Sequence, residues 1–136
     1  VAHGVVKVAI SGTLAERLRD LFEGVADIVE TQRPSEAAVE ETFVNVNPGS
    51  TLKLGQARGV VMLAPARAGL PVFEYAANLV KKSVTGAGHA DKQQIAMMVG
   101  RLLPGVEARN DAADALAVAI CHAHHRATAK RLAAAQ

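Results

Sequence analysis

Two aspartates stand three residues apart at the start of a long apolar run, in the stretch "ARNDAADALAVAICHAHH" over residues 108–125. In a helix that begins here, Asp111 and Asp114 lie on one face, because residues three apart are neighbours. The run that follows is apolar on every side, so we expect this helix end to be deep and poorly solvated. Two like charges in such a place need a neutralising cation, and a hard divalent metal such as magnesium prefers carboxylate oxygens.

Helix capping is the alternative explanation for the same pair. Asp111 or Asn110 would cap the helix, and Asp114 in the first turn would face the positive end of the helix dipole. The spacing by itself favours capping, whereas the apolar run downstream favours a metal site.

A third carboxylate follows a short apolar strand in "EAAVEETF", where Glu40 comes at the carboxyl end. In open α/β sheets, ligands gather at the carboxyl ends of strands. The more common explanation for Glu40 and Glu41 is a solvated acidic strand end. Only convergence of Glu40 with Asp111 and Asp114 makes a metal site, and convergence is not visible in a sequence.

Basic residues are grouped in the second half of the chain. Lys81 and Lys82 lie in a predicted connector over residues 76–88, and Lys92 opens a helix; further along come Arg101, Arg109, Arg126, Lys130 and Arg131. They are either solvated faces or a surface that follows a phosphate backbone. Phe43, in the polar segment "TFVNVNPGS", is either a loop anchor in the core or an exposed platform on which a base stacks.

The histidines and the cysteine are weaker signals. His122, His124 and His125 do not have the spacing of a HExxH motif, and no cysteine pair completes a zinc site, so we interpret them as helix-surface residues. The single cysteine, Cys121, excludes an internal disulfide, and its apolar neighbours predict an inert core thiol.

The elements that must position these residues follow the order β-α-β-α-β-α-α. Strands are predicted at residues 1–10, 35–43 and 70–75, and helices at 13–34, 50–69, 89–103 and 110–136. Thr13 and Glu16 have the spacing of a capping box, Ser50 or Thr51 would cap the second helix, and Pro65 would kink or end it. This order predicts an α/β fold with helices on both faces of a sheet.

Composition sets the remaining limits. The 136 residues suffice for one domain, which we predict over 1–136. The net charge of +2 does not by itself indicate a polyanionic partner. No membrane span or secretory signal is evident. Three strands are few for such a sheet, so we expect the domain to be incomplete at its N-terminus.

The helix predicted over 50–69 carries more apolar surface than one sheet face needs, with Gly55 and Gly59 four residues apart. Small residues at that spacing let a second helix approach closely, which predicts a homodimer with this helix at or beside its interface. The alternative is that the glycines only let the helix lie close to its own sheet.

The segments "AAVEETF", "TLKLGQARG", "LPVFEYAANLVKKSVTGAG", "ADKQQ" and "DAADALAVAI" resemble, in this order and spacing, the RuvC family of Holliday-junction resolvases. The resemblance covers essentially the whole chain and implies a ribonuclease-H-like layered fold with a mixed sheet flanked by helices. It also implies a homodimeric, magnesium-dependent endodeoxyribonuclease that acts in recombination and repair in the bacterial cytoplasm. Such an enzyme nicks two strands of like polarity in a four-way DNA junction, at symmetric positions.

Carried over by motif, the resemblance makes Glu40, Asp111 and Asp114 metal ligands for two Mg²⁺ ions per site, with Mn²⁺ as a substitute. Phe43 would contact the junction, and Lys81 and Lys92 would lie near the scissile phosphate, with Lys82 beside them on the DNA surface. The implied partners are the junction-binding and branch-migration proteins RuvA and RuvB.

The sequence departs from the family pattern in one respect. The family's first strand carries an Asp-Pro-Gly aspartate as a fourth ligand, and no such strand precedes Val1. A junction-binding protein that does not cut is therefore the main alternative function. A ribonuclease-H-like protein acting on RNA or on phosphorylated small molecules, and a purely structural α/β domain, are the others.

Overall fold

A computed structural model describes residues 1–41 and 47–135. Within these residues the helices are α1 (Leu14–Gln32), α2 (Pro48–Arg67), α3 (Ala77–Thr85), α4 (Lys92–Leu102) and α5 (Asp111–Ala134), and the strands are β1 (Ala37–Glu40) and β2 (Val72–Tyr75). None of these helices combines the length and the apolar character that crossing a membrane requires. The predicted strands at 35–43 and 70–75 and the predicted helices at 13–34, 50–69, 89–103 and 110–136 are confirmed as elements.

The chain divides into two compact units, one formed by Val6–Phe73 and the other by Val1–Val5 with Glu74–Gln136. The division falls inside β2, which pairs with β1 in a two-stranded sheet. The Ala37 N–H donates to the Pro71 carbonyl at 2.9 Å, which joins the beginning of one strand to the beginning of the other. The two strands therefore run in the same direction, with α2 as their crossover connection.

In the first unit, α1 packs against α2. The predicted capping box is confirmed: the Glu16 N–H donates to the Thr13 hydroxyl at 3.3 Å, and the Thr13 N–H donates to the Glu16 carboxylate at 2.7 Å. The Thr13 N–H and hydroxyl hold the pKa of Glu16 below its ordinary value, because both stabilise the ionised carboxylate. This cap fixes where α1 begins.

The prediction of a strand at residues 1–10 is wrong, since no residue of that segment is assigned to a strand. Extended backbone forms a strand only when a neighbour bonds its N–H and C=O groups, and no strand within the described residues pairs with this segment. The β-branched residues that suggested a strand are largely exposed, Val5 by 60% and Ile10 by 95%. Their β propensity reflects packing against cross-strand neighbours, and no strand within the described residues lies beside this segment.

The boundaries of α2 also differ from the prediction. Its N-cap is Asn47, whose side-chain oxygen accepts hydrogen bonds from Gly49 and Ser50, and Pro48 takes the first helical position. A proline is tolerated there because the first N–H groups of a helix have no partner within it. The helix continues past Pro65 to Arg67, although the proline has no N–H for the helical bond to the preceding turn.

In the second unit, α3, α4 and α5 pack on one another. Residues 76–88, predicted as a connector, contain α3, because Val80 and Val84 lie four residues apart and are both buried. Gly86 ends α3 with a φ of 80°, a conformation that favours glycine. Cys121 is fully buried, and its thiol donates to the Ser83 hydroxyl at 3.3 Å, which confirms the predicted core thiol.

Candidate active site

The N-terminus of α5 lacks the side-chain cap that the capping explanation requires. Asn110 occupies the N-cap position with a φ of 50°, but its side chain makes no capping hydrogen bond. The first helical bonds run from the N–H groups of Ala113 and Asp114 to the Asn110 carbonyl. Asp111 lies inside the helix rather than at its cap. The helix dipole remains favourable for both carboxylates, but capping accounts for neither of them.

The prediction that this helix end is deep and poorly solvated is wrong. Asp111 is exposed, and the side chain of Asp114 is 41% exposed. The prediction failed because the run is rich in alanine: Ala112 and Ala113 are buried, while Ala115 on the same turn is exposed. A run of alanines does not show which side of a helix faces the core, and here the two aspartates are on the accessible side.

Lys92 lies beside this carboxylate pair. Asp91 caps α4 in a capping box with Gln94, which sets Lys92 in the first helical position. From there the Lys92 ammonium reaches the Asp114 carboxylate, with Nζ 3.5 Å from Oδ2. The lysine side chain is 83% exposed, so the ion pair contributes at most about 1 kcal/mol to stability. Three predicted site residues, Asp111, Asp114 and Lys92, are thus brought together in one accessible place.

The other two predicted lysines belong to α3 in the same unit. Lys81 is half-buried and Lys82 is exposed. The Lys81 carbonyl accepts a hydrogen bond from the Thr85 hydroxyl at 2.9 Å, in the last turn of the helix. The two lysines are therefore fixed by a helix, and not by a loop as the predicted connector implied.

Glu40 is the last residue of β1, as predicted, and its side chain is exposed. It belongs to the unit formed by Val6–Phe73, whereas both aspartates belong to the other unit. Arg58 of α2 donates from Nε to the Glu40 carbonyl at 3.2 Å and so places a cation at the end of the strand. Sequence reasoning passed over Arg58, although it lies within the motif "TLKLGQARG". Phe43 lies outside the described residues.

The donors at the start of α5 match a divalent metal ion in type. Asp111 and Asp114 supply hard oxygen ligands one turn apart on an exposed helix end, which suits a divalent cation. Within residues 1–41 and 47–135, no three His, Cys, Asp or Glu side chains cluster closely enough to hold a metal together. The aspartate pair therefore fits a metal in donor type and would supply two of its ligands.

Two histidines of α5 form a ring cluster with Tyr75 that the sequence analysis did not predict. The Tyr75 hydroxyl is 2.8 Å from Nδ1 of His122, and the His125 ring stacks on the Tyr75 ring with 5.3 Å between centroids. Tyr75 ends β2, so the cluster joins this strand to α5. A sequence signal did exist, because His122 and His125 are three residues apart on one helix face.

Comparison with known proteins identifies the family. The family model described as crossover junction endodeoxyribonuclease RuvC matches residues 1–122. A protein of that name from Paramagnetospirillum magneticum is 63% identical over 136 residues, covering 99% of this chain and 82% of its own length. Another from Maricaulis maris is 64% identical over 126 residues, covering 93% of this chain and 76% of its own length.

The backbone agrees with the sequence comparison. Thermus thermophilus RuvC, solved in complex with a Holliday junction substrate, superposes with a TM-score of 0.84 at 35% identity, over 93% of this chain and 78% of that one. The predicted fold class, α/β and ribonuclease-H-like, is confirmed by this likeness. With a family model that spans most of the chain and relatives above 60% identity, the chain belongs to the RuvC family of crossover junction endodeoxyribonucleases.

Proposed function

We propose that this protein cuts four-way DNA junctions by symmetric, metal-dependent nicking in recombination and repair. The observation that carries the proposal is the accessible group at the start of α5, where Asp111 and Asp114 lie on one turn and Lys92 contacts the second of them. A phosphodiester backbone can reach an exposed helix end, whereas it could not enter a buried one. Membership of the RuvC family supports the same substrate class.

Asp111 and Asp114 would hold the metal, and the family resemblance implies Glu40 as a further ligand. All three are carboxylates, the donor type that Mg²⁺ prefers, and we expect two Mg²⁺ ions per site with Mn²⁺ as a substitute. When bound, the ions would activate a water and stabilise the leaving 3′-oxygen. The protein's own contribution is to present two carboxylates from one rigid helical turn, so that little conformational freedom is lost on binding.

The lysines would act on the phosphate. An exposed ion pair such as Lys92 with Asp114 is weakly held, so Lys92 can exchange the carboxylate for a phosphate oxygen at little cost. A cation at that place offsets the negative charge that grows on the phosphate during cleavage. Lys81 and Lys82, presented by α3, extend the same role along the DNA backbone. Phe43, which follows β1 in the sequence, would stack on a base at the junction.

A junction has two equivalent strands to cut, so we propose a homodimer with one site per copy. The family resemblance also implies a location in the bacterial cytoplasm and RuvA and RuvB as partners on the junction.

The proposed substrate is tested by measuring DNA binding under conditions in which no cleavage occurs. In a buffer that contains EDTA, we expect the protein to bind a synthetic four-way junction at least tenfold more tightly than a linear duplex of the same length or an RNA hairpin. Each comparison is made at one salt concentration, because phosphate contacts make all of the affinities salt-dependent. Equal affinity for junction and duplex, or a preference for RNA, would contradict the proposal and favour a different ribonuclease-H-like activity.

A further inference from the structure

Two carboxylates and two histidines of α5 lie on one side of the helix. Successive residues of an α-helix are rotated by about 100°, because one turn takes 3.6 residues. Counted in this way, a sector of about 80° contains all four of them: Asp111, Asp114, His122 and His125. The aspartate pair therefore shares a face with the histidines that contact Tyr75, which lie about two to four turns further along.

The packing beside the aspartates does little to fix the rotation of α5 about its axis. The buried residues nearest to them are Ala112 and Ala113, and the first larger buried side chain is Leu116. A methyl group offers little shape that could interlock with the neighbouring helices α3 and α4. The ion pair of Lys92 with Asp114 is exposed and weak, so it adds little restraint. Contacts further along the helix must therefore help to set this rotation.

Tyr75 supplies a directional contact of this kind. Its hydroxyl lies 2.8 Å from Nδ1 of His122, and its ring stacks on the His125 ring with 5.3 Å between centroids. A hydrogen bond weakens when its angle changes, whereas the burial of apolar surface has no preferred direction. Tyr75 is itself held in place, because it directly precedes Ala76, the N-cap of α3, and α3 packs on α5. The contact therefore resists rotation of α5 against the rest of its unit.

We propose that Tyr75 and His122 are positioning residues for the aspartate pair, and that their hydrogen bond sets the rotation of α5. Both residues and both aspartates belong to the unit formed by Val1–Val5 with Glu74–Gln136. A rotation of about 10° moves an atom about 6 Å from the helix axis by about 1 Å. A displacement of about 1 Å can slow a reaction by on the order of 10²-fold. The inference rests on the proposed function, because it assigns these carboxylates to the metal.

The rate of junction nicking tests the proposal, measured in a single turnover at saturating protein and Mg²⁺. Tyr75→Phe removes the hydroxyl and keeps the ring that stacks on His125, and we expect nicking to be about tenfold slower. His122→Leu should have a similar effect, and the double variant should be no slower than either single variant, because all three lack the same hydrogen bond. In His122→Asn the amide can take the place of Nδ1, so nicking should return to within about threefold of the unmodified rate.

Metal binding is measured separately, with Mn²⁺ alone and without DNA, by electron paramagnetic resonance. We expect Tyr75→Phe and His122→Leu to bind Mn²⁺ more weakly than the unmodified protein and His122→Asn to bind it nearly as well. His124→Leu is the matched control, an exposed histidine on the same helix, and it should change neither nicking nor Mn²⁺ binding. Circular dichroism and a thermal melt verify folding. If His122→Leu does not fold, Tyr75→Phe and His122→Asn decide the outcome.

Four results would overturn the positioning role. They are unchanged nicking in Tyr75→Phe, unchanged Mn²⁺ binding in Tyr75→Phe, a double variant in which the two effects multiply, and His122→Asn as slow as His122→Leu. Lower thermal stability with unchanged nicking and Mn²⁺ binding would assign the contact to stability alone. If the unmodified protein does not nick a junction, the proposed function fails instead, and Mn²⁺ binding by the same variants still decides whether Tyr75 and His122 position the aspartates.

Discussion

Asp114→Asn should reduce junction nicking by on the order of 10²-fold or more while leaving the fold intact, as expected when one charged group of a metal-dependent site is neutralised. Nicking of a labelled synthetic junction at saturating protein and Mg²⁺ measures the effect. The change in stability should stay within about 0.5 kcal/mol, because the Asp114 side chain is 41% exposed and its pairing with Lys92 is weak. If the two aspartates were buried, Asp114→Asn would stabilise the protein by relieving their repulsion. Because both are accessible, we expect no such stabilisation.

Asp27→Asn is the matched control, since Asp27 is an exposed acid on α1 outside the candidate site. It should leave both nicking and thermal stability unchanged. If Asp114→Asn nicks as well as the unmodified protein, Asp114 only balances the helix dipole and Lys92, and the metal assignment is wrong.

Gly59→Leu should convert the proposed dimer into a folded monomer. A Cβ at Gly55 or Gly59 would meet nothing within 4 Å, so these glycines do not serve close packing of α2 inside the unit. Leu52, Leu54 and Leu63 of the same helix are 64%, 52% and 56% exposed, which leaves apolar surface for a second copy. A leucine at position 59 would prevent close approach of two helices, and it would favour the α2 helix itself by about 1 kcal/mol over glycine.

Sedimentation at micromolar concentration measures the loss of association, and a thermal melt measures the change in stability. Gly100→Leu is the matched control, because Gly100 also lies in a helix with nothing within 4 Å of its Cβ, but on α4. It should leave association unchanged. A Gly59→Leu protein that remains dimeric would place the interface elsewhere, and an unmodified protein that sediments as a monomer would contradict the dimer itself.

Sequence patterns predicted the elements whose signals are local. The Thr13 and Glu16 capping box, Glu40 at the end of its strand and Cys121 in the core all follow from near neighbours in the chain. The start of α2 at Asn47 was missed because two hydroxyl residues downstream offered equally good caps. The α3 helix was missed because its basic residues and glycines suggested a connector, although Val80 and Val84 carried helical spacing.

Features that depend on packing could not be read from the chain. A strand at residues 1–10 requires a paired neighbour, and propensity alone does not provide one. The accessible position of Asp111 and Asp114 depends on which side of an alanine-rich helix faces α3 and α4. The contacts of Tyr75 with His122 and of Lys92 with Asp114 join residues far apart in sequence, 47 and 22 positions respectively.

Mapping the nicks on a four-way junction tests whether this protein is a metal-dependent, junction-specific nuclease. A junction labelled in turn on each strand is incubated with the unmodified protein, with Mg²⁺ or with EDTA. We expect nicks at symmetric positions on two strands of like polarity, none in EDTA, and none on a linear duplex of the same sequence. Tight junction binding without nicks in Mg²⁺ would contradict the nuclease assignment, and nicks of equal yield on the duplex would contradict the junction specificity.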